Sequence, residues 1–246
     1  MNSIIITDLD GTFVKDSISV SPADILKMKK MQEEMLIGVA IGRSLKEITY
    51  IEEQTGIKFD IKIGFNGAIV ESFGKKIVDT ALDETLKNQI IAFLVEHHIK
   101  FDALDGEARI GTYSSENLSK SWNMSFHLPP NVKEALENTR IYKINIRPNQ
   151  DEGIQILEML KTKFDSVEIC QSGPERIEIT PLNITKGKAI ELVKKSHELK
   201  VVAVGDSEND IDMLACSDYA ICIAHASEAV QAVSDTVVNN FYEIDL

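Results

Sequence analysis

An unbroken apolar run near the start of the sequence ends in two acidic residues. In the stretch SIIITDLDGTFV, Ile4, Ile5 and Ile6 are consecutive and β-branched, which predicts a buried strand over residues 3–7. Asp8 and Asp10 follow at once. Because side chains two apart on an extended chain point the same way, both carboxylates are expected to project from the carboxyl end of this strand. Open α/β sheets bind their ligands at that end.

Strand-like and helix-like segments alternate in both end regions of the sequence. The apolar segments LIGVAI, IKIGF, KVVAVGD and YAICIA predict further buried strands, and amphipathic segments lie between them. This alternation predicts right-handed crossovers and a mostly parallel, doubly wound α/β sheet of Rossmann-like type. The helix after LIGVAI is bounded by a predicted capping box, Ser44 with Glu47, and by Gly56.

The middle of the sequence has a different rhythm. Short paired strands, such as KFDAL with RIGTY and SVEIC with RIEIT, are mixed there with helices. This pattern predicts a separate α+β layer. We place that layer at residues 82–181, inserted as a cap into a core domain made of residues 1–81 and 182–246.

Composition narrows the classes of partner. The net charge of the 246 residues is -13, which argues against nucleic acid or an anionic membrane surface as a partner. No apolar run is long enough to span a bilayer, and the first residues lack the pattern of a signal peptide. The three cysteines form no CxxC pair, so neither a disulfide frame nor a zinc site is indicated, and a reduced cytoplasmic setting is expected.

The two neighbouring aspartates indicate a cation. Carboxylates roughly 5 Å apart repel by about 3 kcal/mol at an effective dielectric constant of about 20. Either one of them holds a proton or a cation lies between them. Ligands that are all oxygen favour a hard cation, and Mg²⁺ before Ca²⁺ or Zn²⁺.

A second acidic group follows another predicted strand. In VVAVGDSENDIDML, Asp206 and Asp210 come after an apolar run and could reach the same ion. The alternative is helix capping, since Ser207 and Asp210 resemble a capping box. Two acidic strand ends in one sheet make capping alone an incomplete explanation.

Lys186 would supply positive charge to such a site. It stands at the start of a predicted helix, where a lysine opposes the helix dipole and is poorly placed for helix stability. An anion is favoured there instead, by the lysine and by the free backbone N–H groups. The alternative for Lys186, as for Lys188, is an ordinary solvated side chain.

A metal, a lysine and helix N-termini together predict a phosphate site. Phosphoryl transfer needs charge neutralisation and in-line positioning above all. One carboxylate can attack phosphorus, and a second can protonate the leaving oxygen and then deprotonate the attacking water. Asp8 and Asp10 suit these two roles, and their spacing does not decide which takes which.

At this point the sequence resembles the haloacid dehalogenase superfamily of phosphatases. The resemblance rests on DLDGT at 8–12, a lysine at 186 and GDSEND at 205–210. The inserted layer, GR at 42–43 and NGA at 66–68 resemble the Cof-like, subfamily IIB branch, whose cap is of type C2B. The resemblance covers the whole chain, and it is less specific in the inserted cap than in the core.

The resemblance implies a role for each matched residue. Asp8 would be the nucleophile and a metal ligand, Asp10 the general acid/base and a metal ligand through its backbone carbonyl, and Asp206 and Asp210 further metal ligands. Lys186 would pair with the phosphate and the nucleophile, and Asn209 would orient the phosphate or its loop. The resemblance also implies that Thr12 supports the first loop and that the phosphate-binding positions include Gly42, Arg43, Asn66 and Gly67.

The sequence departs from the branch at one position. A threonine usually precedes the Gly-Arg pair and donates its hydroxyl to the phosphate, whereas here VAIGRS has Ile41. Backbone N–H groups of Gly42 and Arg43 could still bind phosphate, and Ser44 could substitute unless it caps the following helix. We therefore expect weaker phosphate binding.

The expected activity is Mg²⁺-dependent hydrolysis of a phosphomonoester of a small metabolite, with a sugar phosphate favoured, through an aspartyl phosphate. The alternatives are a phosphomutase of the same superfamily, a phosphoglycolate-type phosphatase, a phospho-acceptor like a signalling receiver, and a non-catalytic metabolite-binding module. A monomer or homodimer is expected. Candidate specificity residues, each with an ordinary surface role as its alternative, are Arg109, Lys143, Arg147, Arg176 and Glu178.

Overall fold

The fold was analysed in a computed structural model that describes residues 2–114, 121–149, 151–172 and 176–246. The chain divides into two compact units. The first combines Met1–Asp79 with Thr185–Leu246, and the second is Thr80–Ile184. We call them the core unit and the cap unit.

Within these described ranges the strands and helices follow the chain in a simple order. The strands are β1 (Ser3–Thr7), β2 (Leu36–Ala40), β3 (Ile61–Gly64), β4 (Ile69–Ser72), β5 (Lys75–Asp79), β6 (Phe101–Leu104), β7 (Ala108–Gly111), β8 (Ser125–His127), β9 (Lys143–Ile146), β10 (Val167–Gln171), β11 (Ile177–Pro181), β12 (Lys200–Gly205), β13 (Tyr219–Ile223) and β14 (Thr236–Val238). The helices are α1 (Pro22–Gln32), α2 (Leu45–Thr55), α3 (Glu84–Glu96), α4 (Val132–Leu136), α5 (Gly153–Lys163), α6 (Lys186–His197), α7 (Ile211–Cys216) and α8 (Glu228–Gln231).

The core unit is built on one sheet with the strand order β14-β13-β12-β1-β2-β3-β4-β5. The strands from β14 to β3 run parallel, and β4 and β5 add an antiparallel edge. This mixed sheet confirms the predicted doubly wound α/β class. The central place of β1 explains its composition, because a strand flanked by parallel neighbours and covered on both faces needs apolar side chains throughout.

The register of the central strands fixes where the acidic residues lie. Thr7 pairs with Val204 of β12 on one side and with Val39 of β2 on the other. The N–H of Asp8 continues the ladder and donates to the carbonyl of Val204 at 2.8 Å. Residues that follow β1, β2 and β12 therefore emerge at one edge of the sheet.

Helix caps match the local sequence. The hydroxyl of Ser44 accepts from the N–H of Glu47, and the Glu47 carboxylate accepts from the N–H of Ser44, which is the predicted capping box. Gly56 ends α2 with φ +67°, in the left-handed region that glycine adopts without strain. Ser44 is thus engaged as the cap of α2.

The cap unit contains a second sheet with the strand order β10-β11-β9-β6-β7-β8. Neighbouring strands are antiparallel except for the parallel pair of β7 and β8. The apolar core of this unit takes alternate residues of the sheet, among them Phe101, Ile144, Ile146 and Ile177. The residues between them point to the opposite face of the sheet.

No helix in the described parts of the chain is both long enough and apolar enough to cross a membrane.

Candidate active site

Three carboxylates meet at the carboxyl edge of the core sheet. Asp8 follows β1 and Asp206 follows β12, while Asp210 ends a short 3-10 helix that precedes α7. One ligand atom from each of the three lies within 4.8 Å of the other two. The parallel pairing of β1 with β12 explains this meeting, because neighbouring parallel strands end at the same edge.

Asp210 caps the segment after β12, as the sequence suggested, and also contacts Lys186. Its Oδ2 accepts hydrogen bonds from the N–H groups of Asp206 and Ser207, each at 3.0 Å, and closes a capping box. Its Oδ1 accepts from Nζ of Lys186 at 2.7 Å. Gly205 permits this close fold, since a Cβ there would lie 2.7 Å from Cβ of Asp210.

Lys186 is a buried member of the cluster and not a solvated lysine. It is the first residue of α6, and only 1% of it is exposed. Its Nζ lies 3.0 Å from Oδ1 of Asp8 in addition to the contact with Asp210. Burial opposes the charge of Lys186, but Asp210 and Asp8 outweigh burial and raise the pKa of the ammonium group.

The cluster holds more negative charge than Lys186 can neutralise. Burial raises the pKa of Asp8 well above its usual range against the opposing effect of Lys186, and repulsion from Asp210, Asp206 and Asp10 raises it further. Burial also raises the pKa of Asp206. These three carboxylates, two of which contact Lys186, fit a hard divalent cation by number, charge and ligand type.

The carboxylate of Asp10 is held separately from this cluster. Nε of Arg43 donates to its Oδ2 at 2.5 Å and Nη2 donates to its Oδ1 at 2.9 Å, while the hydroxyl of Ser17 donates to Oδ1 at 2.5 Å. The charge of Asp10 is therefore offset by a guanidinium. Repulsion of Asp8 by Asp210 and Asp206 is therefore the stronger reason for a cation, whereas the sequence analysis based the cation on the pair of Asp8 and Asp10.

Arg43 also binds Glu47, which lies one helical turn further on. Its Nη1 donates to Oε1 of Glu47 at 3.1 Å, and the Glu47 side chain is fully buried. Burial of the guanidinium is outweighed by Asp10 and Glu47, so the pKa of Arg43 is raised. The side chain of Arg43 is thus engaged by both Asp10 and Glu47.

Ile41 directly follows β2 and is 1% exposed. Its N–H donates to the carbonyl of Ile63 at 2.9 Å, and its carbonyl accepts from the N–H of Asn66 at 3.0 Å. The backbone at position 41 is thus fixed between two neighbouring segments.

Three further predicted phosphate positions lie in the short 3-10 helices that follow β3 and β12. Asn66 is buried and has φ +57°. Gly67 has φ +112°, and a Cβ there would lie 2.8 Å from the carbonyl oxygen of Thr185, so this loop packs against the start of α6. Oδ1 of Asn209 accepts from the hydroxyl of Ser207 at 2.7 Å.

Asp206 has two contacts that extend the sequence analysis. The hydroxyl of Thr12 donates to Oδ1 of Asp206 at 2.5 Å, which ties the loop after β1 to the loop after β12. Nε2 of His225 lies 3.1 Å from Oδ2 of Asp206, a contact that the sequence analysis missed. The sequence does indicate that His225 lies at this sheet edge, because His225 directly follows the apolar strand YAICIA.

The chain was compared with known proteins. A sequence model of the haloacid dehalogenase-like hydrolase family matches residues 5–244. The HMP-PP phosphatase of Serratia proteamaculans is 23% identical over 226 residues, which cover 89% of this chain and 82% of that protein.

Solved structures share the fold across both units. A haloacid dehalogenase-like hydrolase from B. subtilis superposes with a TM-score of 0.88 at 20% identity, covering 99% of this chain and 96% of that one. A sugar phosphatase of subclass IIB superposes with a TM-score of 0.79 at 19% identity, covering 98% and 95%. At these identities the likeness concerns the fold.

Proposed function

The chain belongs to the haloacid dehalogenase-like hydrolase family, as a phosphatase of its Cof-like branch, and from this premise we propose that it hydrolyses a phosphomonoester of a small metabolite with the help of Mg²⁺. The observation that carries the proposal is the buried cluster of Asp8, Asp206 and Asp210 with Lys186. A dianionic phosphate requires positive charge, which the lysine and a metal ion would supply together.

Asp8 is the proposed nucleophile. One of its oxygens attacks phosphorus as the bond from phosphorus to the leaving oxygen breaks, which leaves an aspartyl phosphate. Lys186 lies 3.0 Å from Oδ1 of Asp8 and is placed to orient that carboxylate and to neutralise the incoming phosphate. Burial, and after it repulsion from the neighbouring carboxylates, raises the pKa of Asp8, and a bound cation would offset this rise.

Asp10 is the proposed general acid and base. Its side chain is 28% exposed, so it can meet both substrate and water. In the first step it gives a proton to the leaving oxygen, and in the second it takes a proton from the water that attacks phosphorus. The second step breaks the bond from phosphorus to Asp8 and releases inorganic phosphate.

The metal would be held by Asp8, Asp206 and Asp210, with the backbone carbonyl of Asp10 as a further ligand. When bound, Mg²⁺ would stabilise the negative charge of the phosphate oxygens. The positions proposed to bind the phosphate itself are Lys186, Gly42, Arg43, Asn66, Gly67 and Asn209.

A sugar phosphate is the proposed substrate class, and the cap unit is proposed to select it. The support is the shared fold, over both units, with a sugar phosphatase of subclass IIB. The residues proposed for the core site bind only the phosphate and the metal, so recognition of the rest of the substrate is left to the cap unit.

The test is hydrolysis of p-nitrophenyl phosphate and of a sugar phosphate panel by the purified protein. We expect turnover that requires Mg²⁺ and a fall of at least about 10³-fold in kcat for Asp8→Asn, because the variant lacks the attacking oxygen anion. Asp165→Asn, an exposed change in the cap unit, is the matched control. Undiminished activity in Asp8→Asn would refute the mechanism, and preference for a non-sugar ester would refute the substrate class.

A further inference from the structure

A tight hairpin turn lies in the segment between β1 and α1, and we call it the β1–α1 turn. The N–H of Lys15 donates to the carbonyl of Ser19 at 2.9 Å, and the N–H of Ile18 donates to the carbonyl of Lys15 at 3.0 Å. The chain therefore reverses its direction at Asp16 and Ser17.

The two central residues of the β1–α1 turn have an unfavourable backbone conformation. Asp16 has φ +52° and Ser17 has φ +53°. Hairpin turns with two positive φ angles favour asparagine and glycine, because most residues that carry a Cβ are strained in the left-handed region. Neither residue is glycine or asparagine here, so both positions are strained.

The side chains of the turn are arranged contrary to their polarity. Ile18 is 49% exposed, while Ser17 is half-buried. Burial of apolar surface would favour the opposite arrangement. Apolar packing therefore does not explain the conformation of the turn.

The inward side chain of Ser17 contacts the carboxylate of Asp10. Its hydroxyl donates to Oδ1 at 2.5 Å, and the same oxygen accepts from Nη2 of Arg43 at 2.9 Å. Arg43 follows β2, whereas Ser17 follows β1 in the same segment as Asp10, so two separate parts of the chain hold the carboxylate. A hydrogen bond to an ionised acceptor is a strong one, and it offsets strain in the turn.

We propose that Ser17 is a positioning residue for Asp10, and that the strained turn serves to place this hydroxyl against the carboxylate. The proposal deepens the proposed function and rests on it for the role of Asp10 as general acid and base. A carboxyl group that gives and then takes a proton must stay within hydrogen-bond reach of the leaving oxygen and of the attacking water. Ser17 restricts rotation of this group about its Cβ–Cγ bond, together with Arg43.

Substitutions at Ser17 separate the effect of the hydroxyl from that of the strain. Ser17→Ala and Ser17→Gly both remove the hydroxyl, and the glycine variant also relieves the strain. We expect both to lower kcat for p-nitrophenyl phosphate by roughly 5–30-fold and to change KM by less than about twofold, because proton transfer loses its alignment while phosphate binding is kept. The Tm of Ser17→Gly should nevertheless lie about 2–4 °C above that of Ser17→Ala.

Ser17→Thr is the conservative variant, because it keeps the hydroxyl. It should keep most of the kcat although its Tm falls, since a β-branched residue is strained further at a positive φ. Activity is thus expected to follow the hydroxyl and stability to follow the backbone.

Asp16→Gly is the matched control, because it relieves the same strain one residue earlier and leaves the hydroxyl of Ser17 in place. Asp16 is exposed. This variant should gain about 2–4 °C in Tm over the unaltered protein and keep its kcat. An unchanged kcat in Ser17→Ala, or an equal loss of kcat in Asp16→Gly, would overturn the proposal.

A readout without turnover separates this proposal from the proposed function. The ¹³C resonance of the Asp10 carboxyl group, assigned by its absence in Asp10→Asn, should move in Ser17→Ala and stay in place in Asp16→Gly. A resonance that Ser17→Ala leaves unmoved would overturn the proposal even in an inactive protein. Failure of the proposed function is recognised instead by the absence of Asp8-dependent hydrolysis of p-nitrophenyl phosphate.

Discussion

Arg43 holds Asp10 through two hydrogen bonds, one from Nε at 2.5 Å and one from Nη2 at 2.9 Å. The same guanidinium donates to the buried carboxylate of Glu47. Because the planar guanidinium of Arg43 is hydrogen-bonded to both Asp10 and Glu47, it fixes the orientation of the Asp10 carboxylate. A lysine at this position would not do so. The arginine of the Gly-Arg pair therefore positions the proposed acid/base through its side chain.

Replacing Arg43 with lysine tests this positioning role. We expect Arg43→Lys to lower kcat for p-nitrophenyl phosphate by roughly 10–100-fold with little change in KM, because proton transfer loses its alignment while phosphate binding through the backbone is kept. Steady-state kinetics gives the two constants separately. A raised KM with an unchanged kcat would show instead that the side chain of Arg43 binds the phosphate.

Mg²⁺ should stabilise the folded protein. At a metal concentration about 100 times its Kd, mass action adds about 2.7 kcal/mol, which corresponds to a rise in Tm of roughly 5–10 °C for a chain of this size. Differential scanning fluorimetry with Mg²⁺ and with EDTA measures the shift. Asp206→Asn should lose most of it and Asp165→Asn should retain it, and an equal shift in both variants would place the ion elsewhere.

Gly11 is predicted to be required for the placement of the Asp206 carboxylate, because a side chain at this position would displace it. Its φ is +89°, and a Cβ there would collide with the Asp206 carboxylate, whereas Gly74 has φ +75° and nothing within 4 Å of its own Cβ position. Alanine at either site costs roughly 1–2 kcal/mol of stability for its left-handed backbone. Gly11→Ala should in addition weaken the Mg²⁺-dependent rise in Tm, and Gly74→Ala should leave that rise unchanged. Identical metal responses in the two variants would contradict the prediction.

Ile41 is predicted to limit phosphate binding. Ile41→Thr should lower KM for p-nitrophenyl phosphate by about 10–150-fold, since one hydrogen bond to a charged group contributes about 1.5–3 kcal/mol. Ile41→Val is the matched control, because valine and threonine have the same shape and differ only in the hydroxyl. If the two variants give the same KM and kcat, the missing hydroxyl does not limit this enzyme.

The sequence predicted those features that depend on main-chain geometry. The apolar run before Asp8 and the one before Asp206 implied adjacent parallel strands, and parallel strands that pair must end at one edge. The capping boxes at Ser44 and Ser207 were also predictable, since they need only residues three apart.

Features that depend on side-chain direction were not predictable. The pairing of Arg43 with Asp10 joins the ends of two loops, and no sequence spacing indicates which way a four-bond side chain turns. The sequence places His225 at the same sheet edge as Asp206, but for the same reason it does not indicate that the imidazole reaches the Asp206 carboxylate. The burial of charged residues in the cap sheet, such as Asp102 and Glu178, was not predictable either, because polar residues that alternate with apolar ones are equally typical of a solvated sheet surface.

The insertion of the cap unit between Asp79 and Thr185 sets the order in which a ribosome can complete the core sheet. Strand β1 leaves the ribosome early with β2 and β3, but its other neighbour, β12, is synthesised only after the whole cap unit. Until then the apolar edge of β1 has no partner strand, and the cap unit, with its own core, can fold first. Asp8 and Asp206 can therefore come together only after the whole cap unit has been synthesised, and the proposed metal site is assembled after that unit.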